Sequence, residues 1–141
     1  MNLNIARADL WAAPIEDEAG GLARKLEVLK ESGANFEFVF ARRSPEAPGK
    51  GVVFLTPIKG SKQKLVAKTN GFQPLGRIGV VRVEGPNTRG ISAKITTSLA
   101  GKNLSLRGFS ASSVGKRFVM YMAFDSQADA TQAVRTLKRK L

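Results

Sequence analysis

The chain repeats itself. From Leu10 it reads LWAAPIEDEAGGLARKLEVLKESGANFEFVFARR, and from Val80 it reads VVRVEGPNTRGISAKITTSLAGKNLSLRGFSAS. Each stretch runs through an apolar segment, a polar loop with glycine, an amphipathic segment, a Gly-x-Asn element and an alternating segment. Each is followed by a strand-like run, GVVFLTPI at 51–58 and RFVMYMAF at 117–124. A second helical stretch comes next, SKQKLVAKTNGF at 61–72 and SQADATQAVRTLKRK at 126–140. Self-similarity on this scale marks one supersecondary unit used twice. The order in each copy is β-α-β-β-α. In this alignment Gly21-Leu22 falls on Gly90-Ile91, and Gly33-Ala34-Asn35-Phe36 falls on Gly101-Lys102-Asn103-Leu104.

Local periodicity supports the same order. Leu22, Leu26 and Leu29 recur at i, i+4 and i+7, as do Ile91, Ile95 and Leu99 at i, i+4 and i+8, giving each first helix one apolar stripe. Asp17 and Glu18 stand where a carboxylate can cap the helix entry, and Asn87 or Thr88 stands there in the second copy. Gly33 and Gly101 are the stop signals. In the second strand of copy one, Phe36, Phe38 and Phe40 alternate with Glu37 and Val39. In copy two Leu104, Leu106 and Phe109 alternate with a bulge near Gly108. Phe118, Met120, Met122 and Phe124 share one face of the next strand. Helices on one side of an antiparallel sheet, in this chain order, give an α+β fold of two ferredoxin-like βαββαβ sandwiches in tandem. The expected domains are 1–75 and 76–141. After the last helix only Lys138 to Leu141 remain, too few and too basic for a fourth strand. The second copy therefore lacks its last strand or borrows it, either from the N-terminal Leu3-Asn4-Ile5 or from a second subunit. An open sheet edge is a pairing hazard, so a homodimer is expected.

Composition narrows the function. The 141 residues contain no cysteine and no histidine. That excludes thiolate chemistry and disulfides, and it removes the commonest general base and metal ligand. No catalytic residue, metal or cofactor is assigned. No run approaches the roughly 20 apolar residues of a membrane helix. The N-terminus has no apolar core of a signal peptide, so the expected location is cytoplasmic. The net charge of +12 is uneven: residues 1–72 carry 11 Lys/Arg against 8 Asp/Glu, and residues 73–141 carry 12 against 3. The second half can attract a carboxylate, a phosphate, an acidic protein face or nucleic acid, or it is simply a solubilising surface.

Asp17-Glu18-Ala19-Gly20-Gly21-Leu22, followed about twelve residues later by Gly33-x-Asn35-Phe36, resembles the pattern D-x-P-G-x-L … G-x-N-[IF] of the ACT domain, a small amino-acid-sensing regulatory module. Ala19 replaces the usual proline. The second copy, V-E-G-P-N-T-R-G-I-S-A-K-I, is similar to the variant found in aspartokinase regulatory regions, with Arg89 in place of proline and Ser92 and Thr96 at commonly apolar or alanine positions. The resemblance spans about residues 8–139, which leaves no room for a catalytic domain. It implies a non-catalytic regulator that binds a free amino acid at the turn from first strand to first helix, at a domain–domain interface, and signals through association with a second subunit or a regulated enzyme.

On that resemblance the ligand-binding candidates are Asp17, Glu18, Ala19, Gly20, Gly21, Leu22, Asn87, Thr88, Arg89, Gly90 and Ile91, with Asn35 and Asn103. A helix N-terminus offers unpaired amides and partial positive charge to a carboxylate, and glycine lets a ligand approach the backbone. The plainer alternatives are packing glycines, a capping Asp17 and turn asparagines. The first loop's acids suit an amino group, and the second loop suits an anion. Two rival functions stand beside the regulatory one. One is a ligand-free interaction scaffold. The other is an RNA-binding module of the same topology, in which Arg117, Tyr121 and Phe124 partly match a stacking signature. Val119 stands there where an aromatic belongs, so nucleic acid is disfavoured.

Overall fold

A computed structural model describes residues 2–141. The elements in chain order are β1 (Asn4–Ala8), β2 (Trp11–Glu16), α1 (Gly21–Glu31), β3 (Phe38–Arg43), β4 (Lys50–Thr56), α2 (Gly60–Thr69), β5 (Gln73–Pro74), β6 (Gly79–Pro86), α3 (Ile91–Ala100), β7 (Gly108–Val114), β8 (Arg117–Phe124) and α4 (Gln127–Lys140). They form two four-stranded antiparallel sheets, ordered β3-β4-β2-β5 and β1-β6-β8-β7. Each sheet carries two helices, so the α+β ferredoxin-like architecture is the one expected.

The chain divides into two compact units, and the division is not at 75/76 alone. Asp9–Leu75 is one unit; the N-terminal segment through Ala8 joins Gly76–Leu141 in the other. The reason is strand pairing. β1 runs antiparallel to β6, from Asn4 opposite Glu84 to Ala8 opposite Val80. This strand takes the edge position beside β6; Lys138 to Lys140, expected after the last helix, are the last turn of α4. The borrowed strand comes from the same chain, as Leu3-Asn4-Ile5 allowed. Ile5 is buried in that unit's core and Leu3 packs against it.

In the Asp9–Leu75 unit, Trp11, Ala13, Val53 and Leu55 point from the sheet to Leu29, Ala67 and Phe72. In the other unit Val81, Val83, Phe118, Met120, Met122 and Phe124 face Ile91, Ile95, Leu99, Ala133 and Leu137. The stripes read from the sequence are the core-facing ones. The alternation Phe36-Phe38-Phe40 is not. The amide of Glu37 donates to the carbonyl of Thr56 at 2.9 Å although Phe38 is the residue paired with Thr56. Two residues thus oppose one, and the bulge shifts the face. Phe36 packs on the core, while Phe40 stacks on Phe54 across the other face, centroids 6.3 Å apart. The equivalent bulge lies at Arg107, whose amide reaches Ala123 O at 2.8 Å beside Gly108.

Backbone hydrogen bonds give the true register of the repeat. Gly21 N to Glu18 O matches Ile91 N to Thr88 O, Arg24 N to Gly20 O matches Lys94 N to Gly90 O, and Ala34 N to Leu29 O matches Leu104 N to Leu99 O. Gly20 therefore corresponds to Gly90 and Gly21 to Ile91, one position off the sequence alignment. Gly33 corresponds to Asn103, not to Gly101. Both hold positive φ after a helix, 87° and 57°, whereas Gly101 is right-handed at −61°. Asn35 and Asn103 are not counterparts. The sequence alignment was drawn to the two Gly-x-Asn elements, and those elements are out of step by two residues.

Candidate functional site: two helix entries built on one frame

Both first helices start in the same way. Gly20 at φ 86° precedes α1, and Gly90 at φ 77° precedes α3. A left-handed residue at the cap suits glycine, because a side chain there costs about 1–2 kcal/mol. Among the described residues no side chain caps either helix, which corrects the expectation that Asp17 or Glu18, and Asn87 or Thr88, would do so. The Thr88 hydroxyl donates instead to Pro86 O at 3.2 Å. Among the described residues no acceptor meets the amides of Leu22, Ala23, Ser92 or Ala93. Both loops are exposed and both are tied to the neighbouring hairpin, Asp17 N to Gly49 O at 3.0 Å and Asn87 N to Lys116 O at 2.7 Å.

The side chains differ. At the α1 entry every acid has a cation. Glu16 pairs with Lys50 at 2.5 Å, Asp17 with Arg43 at 2.9 Å and Glu18 with Arg24 at 3.5 Å. The hydrogen bond from Lys50, and then its charge, hold the Glu16 carboxyl below its usual range. The acids that were candidates for holding an amino group are thus engaged with the chain's own cations. At the α3 entry the three matching positions are Pro86, Asn87 and Thr88. The acids are gone, but Lys94 stands where Arg24 stands, Arg117 where Lys50 stands, and Arg89 where Ala19 stands. Arg117 reaches Glu84 at 3.6 Å. Among the described residues, Arg89, Lys94 and Lys116 have no ion-pair partner. One entry is neutralised; the other is an uncapped helix start ringed by cations, an arrangement that favours an anion.

The glycines separate likewise. A Cβ on Gly21 would collide with the carbonyl oxygen of Glu16. Gly21 is a packing device that seats α1 on the end of β2. Its counterpart Ile91 is buried instead. A Cβ on Gly90 would meet nothing within 4 Å, so the approach to the α3 entry is open. Asn35 and Asn103 stand beyond the far ends of their helices, about 15 Å from the loops at 1.5 Å per residue. Within each unit the structure does not bring them to the entry. Sequence reading did not single out Lys94 and Lys116; counting in the register of Gly20 and Gly90 finds Lys94.

The aromatic signature on β8 is not a stacking platform. Phe118 and Phe124 face the helices. The Tyr121 ring is buried, and its hydroxyl accepts from Arg82 Nε at 3.1 Å. Among the described residues no group of three acidic, histidine or cysteine side chains could hold a metal. No helix among them is long and apolar enough to cross a membrane.

No protein-family model matches the sequence, and no curated protein aligns with it. The fold is shared with solved structures. Protein BT0572 from Bacteroides thetaiotaomicron is 16% identical over 95% of this chain and 90% of its own, with a TM-score of 0.77. The regulatory subunit of aspartate kinase from Thermus thermophilus, in a ligand-free form, is 14% identical over 97% of this chain and 95% of its own, with a TM-score of 0.64. Aspartate kinase from Clostridium acetobutylicum, described as an allosteric enzyme, is 20% identical over 96% of this chain but 33% of its own, with a TM-score of 0.56. This is a likeness of fold.

Proposed function

We propose that this chain is a non-catalytic regulatory module that binds a small carboxylate, a free amino acid, at the entry of α3, and passes the signal on through association with a second subunit or a regulated enzyme. One observation carries the reading. The acids of the α1 entry have no counterpart at the α3 entry, where Arg89, Lys94 and Lys116 have no ion-pair partner among the described residues and Gly90 is open. A carboxylate there meets the amides of Ser92 and Ala93 and the guanidinium of Arg89. The ACT resemblance of the loop and the fold shared with aspartate kinase regulatory subunits support the choice of an amino acid over other anions. Asn87, Thr88, Arg89, Gly90 and Ile91 form the proposed site. Asp17 to Leu22 form its closed counterpart.

The test is titration calorimetry against the twenty amino acids, with inorganic phosphate as a control. Binding of one or a few amino acids, weakened by about 1.5–3 kcal/mol in Arg89→Ala through loss of a charge-assisted hydrogen bond, is the expected result. Heat from phosphate alone, or none from any amino acid, overturns the reading in favour of the ligand-free scaffold.

A further inference from the structure

The bulge at Glu37 and Phe38 puts Phe40 on the open face of the sheet β3-β4-β2-β5. Val53 and Leu55 face the helices, so Val52 and Phe54 face away from them. Strand register builds two rows across that face. One runs Phe40, Phe54, Ala12 and Gln73; the next runs Arg42, Val52 and Pro14. The two rings are 28° from parallel, with centroids 6.3 Å apart. Phe40 is 46% exposed, and Phe54 is half-buried. On its other side Phe54 has Ala12, which carries only a methyl group. The first row is therefore a ledge for flat groups: two rings, a shallow step at Ala12 and the exposed amide of Gln73.

The polar groups around the ledge suit a strand of nucleotides. Unpaired bases bind by stacking on aromatic rings, and a positively charged groove follows their phosphates. Among the described residues Arg42 has no ion-pair partner; its guanidinium donates to Arg43 O at 2.9 Å. Glu16, the one acid at an outward position of these strands, is paired with Lys50. The Gln73 amide offers both a donor and an acceptor to a base edge. The sequence of β4 agrees. Lys50-Gly51-Val52-Val53-Phe54-Leu55 follows the strand signature of sheet-surface RNA binders, K/R-G-F/Y-G/A-F-V, at Lys50, Gly51 and Phe54, with Leu55 for valine. Val52 stands where that signature has its first ring, and Phe40, one strand over, supplies the second ring instead. Packing alone explains Gly51, where a Cβ would lie 2.8 Å from Arg42 O. It does not explain two phenylalanines side by side on an open face.

We infer that the open face of the Asp9–Leu75 unit is a stacking site for single-stranded RNA, with unpaired bases on Phe54 and Phe40, a phosphate on Arg42 and a base edge at Gln73. The net charge of +12 draws the polyanion to the molecule. A standard protein interface takes about 800 Å² from each partner, more than two rings bordered by Ala12, Arg42 and Gln73 provide. The match that disfavoured nucleic acid lay on β8, whose Tyr121 is buried; it does not bear on this face. The site is independent of the amino-acid reading, which concerns the α3 entry.

Fluorescence anisotropy on the full chain, without amino acids, tests it. The probe is a labelled, unstructured RNA of about 12 nucleotides, within the span of known single-strand sites. Phe54→Ala and Phe40→Ala should each weaken binding by about 5- to 150-fold, the effect of one lost stacking partner. Phe54→Tyr and Phe40→Tyr should keep it, because the ring remains. Arg42→Ala should weaken binding and lower the slope of log affinity against log salt by about one. Lys138→Ala removes the same charge from α4 in the other unit and should do much less. Circular dichroism checks that each variant is folded. A parent that does not bind, folded alanine variants that bind as the parent does, or a loss in Lys138→Ala equal to that in Arg42→Ala, each overturns the inference. Tighter binding of a duplex RNA than of the single strand overturns it too, since paired bases offer no face to a ring. A Phe40→Ala variant that leaves RNA affinity unchanged but alters the sedimentation of the chain assigns the face to a protein contact and overturns it as well.

Discussion

The entries of α1 and α3 share a backbone almost bond for bond, yet their chemistry is opposite. The first closes on itself through Glu16–Lys50, Asp17–Arg43 and Glu18–Arg24; the second has Arg89, Lys94 and Lys116 with no ion-pair partner among the described residues. One duplicated frame thus carries two electrostatic surroundings, and the three acids at Glu16, Asp17 and Glu18 against Pro86, Asn87 and Thr88 make much of the difference. The larger field agrees. The unit holding α3 carries 13 Lys/Arg against 3 Asp/Glu, and the unit holding α1 carries 10 against 8.

The largest expected effect breaks the comparison at its glycines. Gly21→Ala drives a methyl into the Glu16 carbonyl and should cost about 3 kcal/mol, the upper end for overpacking. Gly90→Ala meets no atom and should cost about 1 kcal/mol for its left-handed backbone. Equal losses in urea denaturation would remove the distinction between a packing glycine and an open one. Next comes a transplant. Asn87→Asp with Thr88→Glu puts the α1 acids onto the α3 entry and should weaken an anionic ligand by about 1.5–3 kcal/mol, read by calorimetry. An unchanged affinity would place the ligand elsewhere.

Smaller effects sharpen the picture at α1. Asp17→Asn breaks one exposed ion pair and caps nothing, so it should cost less than about 1 kcal/mol; thermal unfolding checks this, and a loss typical of a helix cap would contradict the uncapped geometry. The smallest effect is acidic. Glu16 has a carboxyl lowered in the folded state by Lys50, so its contribution is present above its unfolded value and lost as pH falls through the lowered folded value. A Glu16 side-chain NMR titration should show that midpoint below the usual range, with Glu16→Gln abolishing the dependence. No such titration is expected at the α3 entry, where Pro86 occupies the matching position.

Much of this was legible before any coordinates. The repeat, the element order, the stripes Leu22-Leu26-Leu29 and Ile91-Ile95-Leu99, and the run Phe118-Met120-Met122-Phe124 all follow from apolar periodicity, because burial on one face writes its period into the chain. The N-terminal Leu3-Asn4-Ile5 was readable as a candidate strand, and it is the one that pairs with β6. The bulge at Glu37 and Phe38 was not. A bulge has no periodic signal, and three phenylalanines in alternation looked like one face. The role of the acids was misread for a similar reason. Asp17 beside a helix start fits a cap, and only the hairpin brings Arg43 and Lys50 to it.

The sequence by itself determined what can be decided by local period and composition: two α+β copies, a basic second half, and no thiol or imidazole chemistry. Only the tertiary structure decided the pairings that span the chain. β1 completes the sheet of a unit that begins almost seventy residues later, and Lys50 reaches back to Glu16. Long-range pairing leaves no mark within a short window of sequence. Closing such a loop costs an entropy that grows only slowly with its length, so distant segments can be joined wherever the hydrogen bonds and burial of the fold reward it.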